Sequence, residues 1–244
     1  MTKTAIVTGA AGVLGKAITD KLVKGGFTVY ACDISQSQLD KTFAHPADGV
    51  IPTILDVSSE DSWVELYAMV RAQYGHIDVL VNNAGINIRK NIEDCPVEDW
   101  DKMFAVNVRG VFLGIKHCLG MMRENHGGVI INTSSVCGLV GHLYTNESYT
   151  ATKGAVTLLT KSVASRFGKY NIRCNSIHPS TVETDFVKVL FQDPQKKQER
   201  LGEVPLGHLC SAEDVANAVG FLASDEAKFL NGIQLPIDGG TTCY

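Results

Sequence analysis

An alternation that runs the whole length of the chain constrains its fold more than any single motif. Short β-branched runs fall at about 4–8 (TAIVT), 27–32 (FTVYAC), 50–55 (VIPTIL), 78–82 (DVLVN), 128–133 (GVIINT), 171–177 (NIRCNSI) and 233–237 (IQLPI). Between them lie helical patterns at about 13–25, 37–43, 59–74, 99–124, 147–168 and 212–223. Strands separated by helices predict βαβ units and a parallel sheet. The strands are almost continuously apolar, as a sheet covered on both faces requires. Pro52, inside the third run, cannot donate to a ladder and prefers an edge or a bulge.

At 244 residues, 45% hydrophobic and 20% charged, the chain has the size and composition to bury one sizeable core. The expected fold is α/β, a single domain over 1–244 built on a Rossmann-type doubly wound parallel sheet of about seven strands with helices on both faces. One stretch, about 180–210, lacks clear periodicity and holds Pro194, Pro205 and the charged patch QKKQER. A loop that long inside a compact domain is usually functional, and it is expected to form a substrate-binding loop.

Composition excludes several partners. The formal charge is −4 with no run of Lys or Arg, so no nucleic-acid partner is expected. No apolar run approaches the ~18 residues that span a bilayer, and MTKTAIVTGA does not read as a signal peptide. Seven cysteines are scattered singly without a CxxC pair, which argues for a reducing cytosol and against a disulfide framework or zinc site. The seven histidines form no HExxH-type spacing, and no metal is expected. A cytoplasmic protein without membrane contact is the expectation.

In an open parallel sheet, ligands bind beyond the carboxyl ends of the strands, and here six strand ends carry useful chemistry. The first runs into Thr8-Gly9-Ala10-Ala11-Gly12-Val13-Leu14-Gly15, a glycine turn opening a helix, where backbone N–H groups can approach a pyrophosphate. The second ends at Asp33, 18 residues after Gly15, near where an acid binds the adenosine ribose hydroxyls. A carboxylate there repels a 2′-phosphate and points to NAD as cofactor. The third ends in Asp56 and Val57; Asp56 reads equally as an adenine contact and as an N-cap for the next helix. The fourth runs into Asn82-Asn83-Ala84-Gly85, small enough to pass close to a flat ligand. The fifth ends Asn132-Thr133-Ser134-Ser135, and the sixth leads through His178-Pro179-Ser180-Thr181-Val182-Glu183-Thr184. Fourteen residues after Ser135 comes Tyr149, and Lys153 follows four later, on the same helical face.

This combination, in this order, resembles the short-chain dehydrogenase/reductase family, single-domain subclass, over essentially the whole chain. The carrying elements are TGAAGVLG, Asp33, Asp56, NNAG at 82–85, Val106-Asn107-Val108, Ser135, YTATK, and Asp238-Gly239-Gly240 after the last strand. The resemblance implies hydride transfer between NAD(H) and a secondary alcohol or ketone, with Tyr149 as general acid/base. Ser135 would bind the substrate oxygen, Lys153 would lower the tyrosine pKa and hold the nicotinamide ribose, and Asn107 would help position a relay water. It further implies that Gly9, Gly12, Val13, Leu14, Gly15, Asp33, Asp56, Val57, Asn83, Ala84, Gly85, Pro179, Val182 and Thr184 line the cofactor. A tyrosine titrating near 10 needs roughly 4 kcal/mol of preference for phenolate to work at neutral pH, so a cation one helical turn away makes chemical sense. Adjacent strand residues point to opposite faces, so only one of Ser134 and Ser135 can face the site; the family pattern S-x-x-G selects Ser135.

Two positions depart from the family pattern. Val13 stands where TGxxxGxG has its middle glycine, and His178-Pro179-Ser180 replaces Asn-Pro-Gly. The GxxGxxG spacing that results keeps epimerase or dehydratase chemistry as an alternative, beside a non-catalytic dinucleotide sensor. The substrate pocket is expected to involve Cys137, His142, Leu143, Tyr144, Asn87 and Arg89, with Arg89 and His142 hinting at a polar or anionic substrate. The 99–124 and 147–168 helices are apolar beyond one stripe, which calls for a partner surface; a homotetramer is expected.

Overall fold

A computed structural model describes residues 2–184, 187, 189 and 191–244; positions 185, 186, 188 and 190 of the expected substrate loop lie outside the described residues. Seven strands, β1 (Lys3–Thr8), β2 (Phe27–Asp33), β3 (Val50–Ile54), β4 (Val79–Asn82), β5 (Gly128–Thr133), β6 (Ile172–Pro179) and β7 (Gln234–Ile237), form one sheet. Their order is β3-β2-β1-β4-β5-β6-β7, and every pair is parallel. This is the α/β architecture that the alternation predicts. Pro52 causes no conflict because β3 is an edge strand, paired only with β2.

Helices cover both faces. On one side α1 (Val13–Lys24), α2 (Gln36–Thr42) and α8 (Ala212–Ala223) pack Ile18, Leu22, Leu39, Val215 and Val219 against Val7, Val29 and Ile131. On the other, α3 (Glu60–Gln73), α5 (Gly110–Glu124) and α6 (Glu147–Phe167) pack Trp63, Leu66, Met121 and Val156 against Ile6, Leu80 and Ile130. Each such side chain taken from water contributes about 1.5–3 kcal/mol, so the two apolar layers hold the sheet between them.

Two expectations need revision. The 99–124 pattern is α4 (Val97–Phe104), a wide π-type turn over Ala105–Arg109, and then α5. The 180–210 stretch contains a helix, α7 (Pro194–Gly202), capped by Asp193, whose carboxylate accepts from Gln195 N and Lys196 N.

The strand order reverses direction between β1 and β4, so the crevice beyond their carboxyl ends lies at a topological switch point. Two hydrogen bonds, Asn82 Nδ2 to Asn132 Oδ1 at 2.9 Å and Asn132 Nδ2 to Thr160 Oγ1 at 2.9 Å, tie β4, β5 and α6 together beneath it. The crevice floor is thus cross-linked beneath the strand ends.

Candidate active site

The turn after β1 is held by contacts that only glycine permits. Gly9 has φ +64°, and a Cβ there would lie 2.9 Å from Ala84 Cα; at Gly15 it would lie 2.1 Å from Gly9 O. Gly12 heads α1 with no side-chain cap, which leaves first-turn amides for an anion. Val13, in the family's middle glycine position, is half exposed and outside the tight part of the turn. Thr8 Oγ1 accepts from Asn83 N and Ala84 N, both at 3.0 Å, and so fastens the chain after β4 beside the glycine turn. These features fit a nicotinamide dinucleotide.

At the end of β2, the Asp33 carboxylate accepts from Ala11 N and Ser35 N, each at 3.2 Å. Asp56 Oδ1 accepts from Ser58 N at 2.9 Å and Ser58 Oγ at 2.7 Å, and the residue that caps α3 is Ser59. Asp56 is thus no N-cap of that helix. Val57 is buried, with its carbonyl taken by Trp63 Nε1 at 3.0 Å.

The reacting groups gather over β5 and β6. Asn146 caps α6 by accepting from Tyr149 N at 2.7 Å, which sets Tyr149 in the first turn and Lys153 one turn on. Leu14, Asn83, Gly85, Ser135, Tyr149, Lys153, Pro179 and Val182 line one cleft of about 250 Å³. The two serines separate as strand alternation requires. Ser134 Oγ donates to Lys153 O at 2.9 Å, inside the protein, whereas the Ser135 hydroxyl lies toward the Tyr149 phenol and favours its ionised form.

Burial pushes the Tyr149 pKa up, and Ser135 and the Arg89 charge only partly oppose this. Lys153 Nζ donates to Thr133 O at 2.8 Å and lies 5.5 Å from the tyrosine ring centroid. Burial lowers its own pKa to about 8.

Asn107 sits in the wide turn and is fully buried. Its side chain accepts from Ile86 N at 2.8 Å and donates to Ile86 O at 2.9 Å and Thr152 Oγ1 at 3.1 Å. Most of that side chain's bonding goes to the backbone after NNAG, so it holds this loop beside the cleft. At Gly85 a Cβ would approach Asn107 Oδ1 to 3.3 Å and Lys153 Nζ to 3.5 Å.

The expected substrate residues divide. Arg89 and Tyr144 line a neighbouring hollow of about 290 Å³ that shares Asn87 with the cleft and also holds Arg200. Arg200 donates to Tyr144 O at 3.2 Å and lies over its ring. His142 faces Glu203 at 3.5 Å and accepts from Tyr144 N, so it works within the loop. Cys137 is buried, donating its backbone N–H to Ser135 Oγ at 3.3 Å. Leu143 is exposed. Thr184 Oγ1 accepts from Val187 N, and Val182 bridges to Cys210.

Four contributors were missed in the sequence. Thr8, Ile86 and Thr133 act through pairings made only in the folded chain. Asn146, three residues before Tyr149, carries an N-cap signal that could have been read.

A family model described as "Enoyl-(Acyl carrier protein) reductase" matches residues 9–242. The chain belongs to the short-chain dehydrogenase/reductase family. It is 38% identical to cyclopentanol dehydrogenase of Comamonas testosteroni over 243 residues, covering 98% of this chain and 97% of that one. With the NADP-dependent (R)-specific alcohol dehydrogenase of Lentilactobacillus kefiri it shares 36% identity, covering 98% and 96%. A crystal structure titled gox2181 superposes with a TM-score of 0.95 at 28% identity, covering 100% of this chain and 96% of that one. As a member of this family the chain is an oxidoreductase that uses a nicotinamide dinucleotide. None of its described helices is long and apolar enough to cross a membrane.

Proposed function

We propose that this short-chain dehydrogenase/reductase uses NAD(H) to interconvert a secondary alcohol and a ketone, with Tyr149 as the proton-transfer group. The observation that carries the reading is the meeting of Ser135, Tyr149 and Lys153 in one cleft beside the glycine turn. When bound, the dinucleotide accepts or supplies the hydride. Ser135 donates a hydrogen bond to the substrate oxygen and stabilises charge developing there. Tyr149 gives its proton to that oxygen in reduction and takes it back in oxidation. A phenol kept neutral by burial suits the first task as it stands; the second requires added positive charge nearby. Lys153, titrating near pH 8, stays largely protonated at neutral pH and supplies one such charge while holding the nicotinamide ribose. Val182 and Thr184 hold the carboxamide.

Asp33 supports NAD over NADP. Its carboxylate ends β2, where it would meet the adenosine ribose, and its sequence neighbours are Cys32 and Ile34 rather than a cation that would welcome a 2′-phosphate. The substrate side is the neighbouring hollow, where Arg89, Tyr144 and Arg200 stand beside the cleft. A cytoplasmic location fits the single, unpaired cysteines. Homotetramer formation is supported by exposed Phe112 on α5 and Leu158 on α6, apolar positions left outside the sheet core. The test is a panel of secondary alcohols and ketones with NAD(H) and NADP(H), followed by nicotinamide absorbance. Turnover with NAD(H) supports the reading; no turnover with any pair contradicts it.

A further inference from the structure

The departure at Ser180 carries a consequence for cofactor binding. Among the described residues, only His126 and Asn171 are non-glycine positions with positive φ, so the backbone at 180 does not demand glycine. Its N–H donates to Ile237 O at 3.1 Å, which fixes the residue against β7. The Ser180 hydroxyl oxygen is buried, has no hydrogen-bond partner, and belongs to a residue that lines the cleft with Tyr149 and Ser135. A buried hydroxyl without a partner is costly, and such groups in native proteins point to an ordered ligand or water.

Topology identifies the ligand part that reaches it. The proposed adenosine contacts, Asp33 and Asp56, follow β2 and β3, on one side of the switch point; the pyrophosphate turn follows β1. An extended dinucleotide crossing that crevice must lay its nicotinamide half over β4, β5 and β6. Ser180 follows β6, between Pro179 and Val182. The substrate oxygen, by contrast, belongs at the Ser135 and Tyr149 hydroxyls. A serine hydroxyl has one donor and two acceptor sites, and a primary carboxamide offers both complements. We propose that the Ser180 hydroxyl hydrogen-bonds the nicotinamide carboxamide, adding a side-chain contact where the family pattern has glycine. This rests on the dinucleotide reading above.

Calorimetric titration of the full chain with NADH and with ADP-ribose, which lacks the nicotinamide, tests it without turnover. Ser180→Ala is expected to weaken NADH about three- to tenfold, the scale of one hydrogen bond, and to leave ADP-ribose affinity unchanged. Ser180→Gly should behave like Ser180→Ala, while Ser180→Thr, which keeps the hydroxyl, should retain tighter NADH binding than either. Unchanged NADH affinity in folded Ser180→Ala and Ser180→Gly overturns the proposal alone, as does equal weakening of both ligands. Wild-type protein that binds ADP-ribose but not NADH overturns the dinucleotide reading and this proposal together.

Discussion

Replacing His178 by leucine should uncouple Ser135 from the strand that supports it. The imidazole is fully buried, with Nδ1 2.8 Å from Ser135 O and Nε2 2.8 Å from Ser176 Oγ. A carbonyl only accepts, so Nδ1 carries the proton and Nε2 accepts from the serine hydroxyl. Leucine removes both bonds. The Ser135 carbonyl keeps the Gly138 N–H at 2.9 Å and Ser176 keeps an acceptor in Ile233 O at 3.4 Å, so each loss is that of one hydrogen bond, about 0.5–1.5 kcal/mol. The expected loss is about 1–3 kcal/mol in all, or roughly 2–12 °C in Tm for a chain of this size. Asparagine places Nδ2 as many bonds from Cα as Nδ1, so His178→Asn should recover the Ser135 bond and about half of that loss. Turnover should follow the same order, since Ser135 lines the cleft with Tyr149. Burial, the larger influence, lowers the His178 pKa below its ordinary 6.5. The unfolded chain therefore binds the proton first, and stability should fall as pH drops through about 6.5. That part of the pH dependence should vanish in His178→Asn. Calorimetric unfolding of the three proteins between neutral and mildly acid pH is the assay. A leucine variant within about 0.5 kcal/mol of wild type, a difference typical of indifferent surface sites, would refute the reasoning.

Other outcomes are equally specific. Gly15→Ala forces a Cβ to 2.1 Å from Gly9 O and 2.6 Å from Ala10 Cα, so the turn must open; we expect a loss of about 1–3 kcal/mol and at least ~10-fold weaker dinucleotide binding, read by unfolding and titration. Asp33→Ala combined with Ile34→Arg should shift kcat/KM toward NADP, and wild type that already prefers NADP would contradict the NAD assignment. Light scattering coupled to size exclusion should give about four times the 26.3 kDa chain mass, with Phe112→Asp lowering it; a 26.3 kDa species at micromolar concentration would refute the tetramer.

What could be read from the residues depended on whether the signal was local. All seven strands follow from apolar β-branched runs between helical patterns, and the family pattern S-x-x-G chose Ser135 over Ser134 without coordinates. The π-type turn at Ala105–Arg109 was not legible, because AVNVR continues the apolar spacing of the helices on either side. Helix α7 escaped because PQKKQERLG is polar almost all round and leaves no stripe. The spending of the Asn107 side chain on Ile86, the burial that raises the Tyr149 pKa, and the unpartnered Ser180 hydroxyl all arise from distant segments meeting. No short window of sequence contains them.

Whether Tyr149 moves the proton is tested most directly by Tyr149→Phe. The ring remains while the titrating hydroxyl goes, so the fold and dinucleotide affinity should persist, with titration of NADH serving as the control. Steady-state turnover of an alcohol accepted by the wild type should fall by at least ~10², the usual scale for removing a general acid–base. Turnover near the wild-type value, at unchanged dinucleotide affinity, would contradict the account.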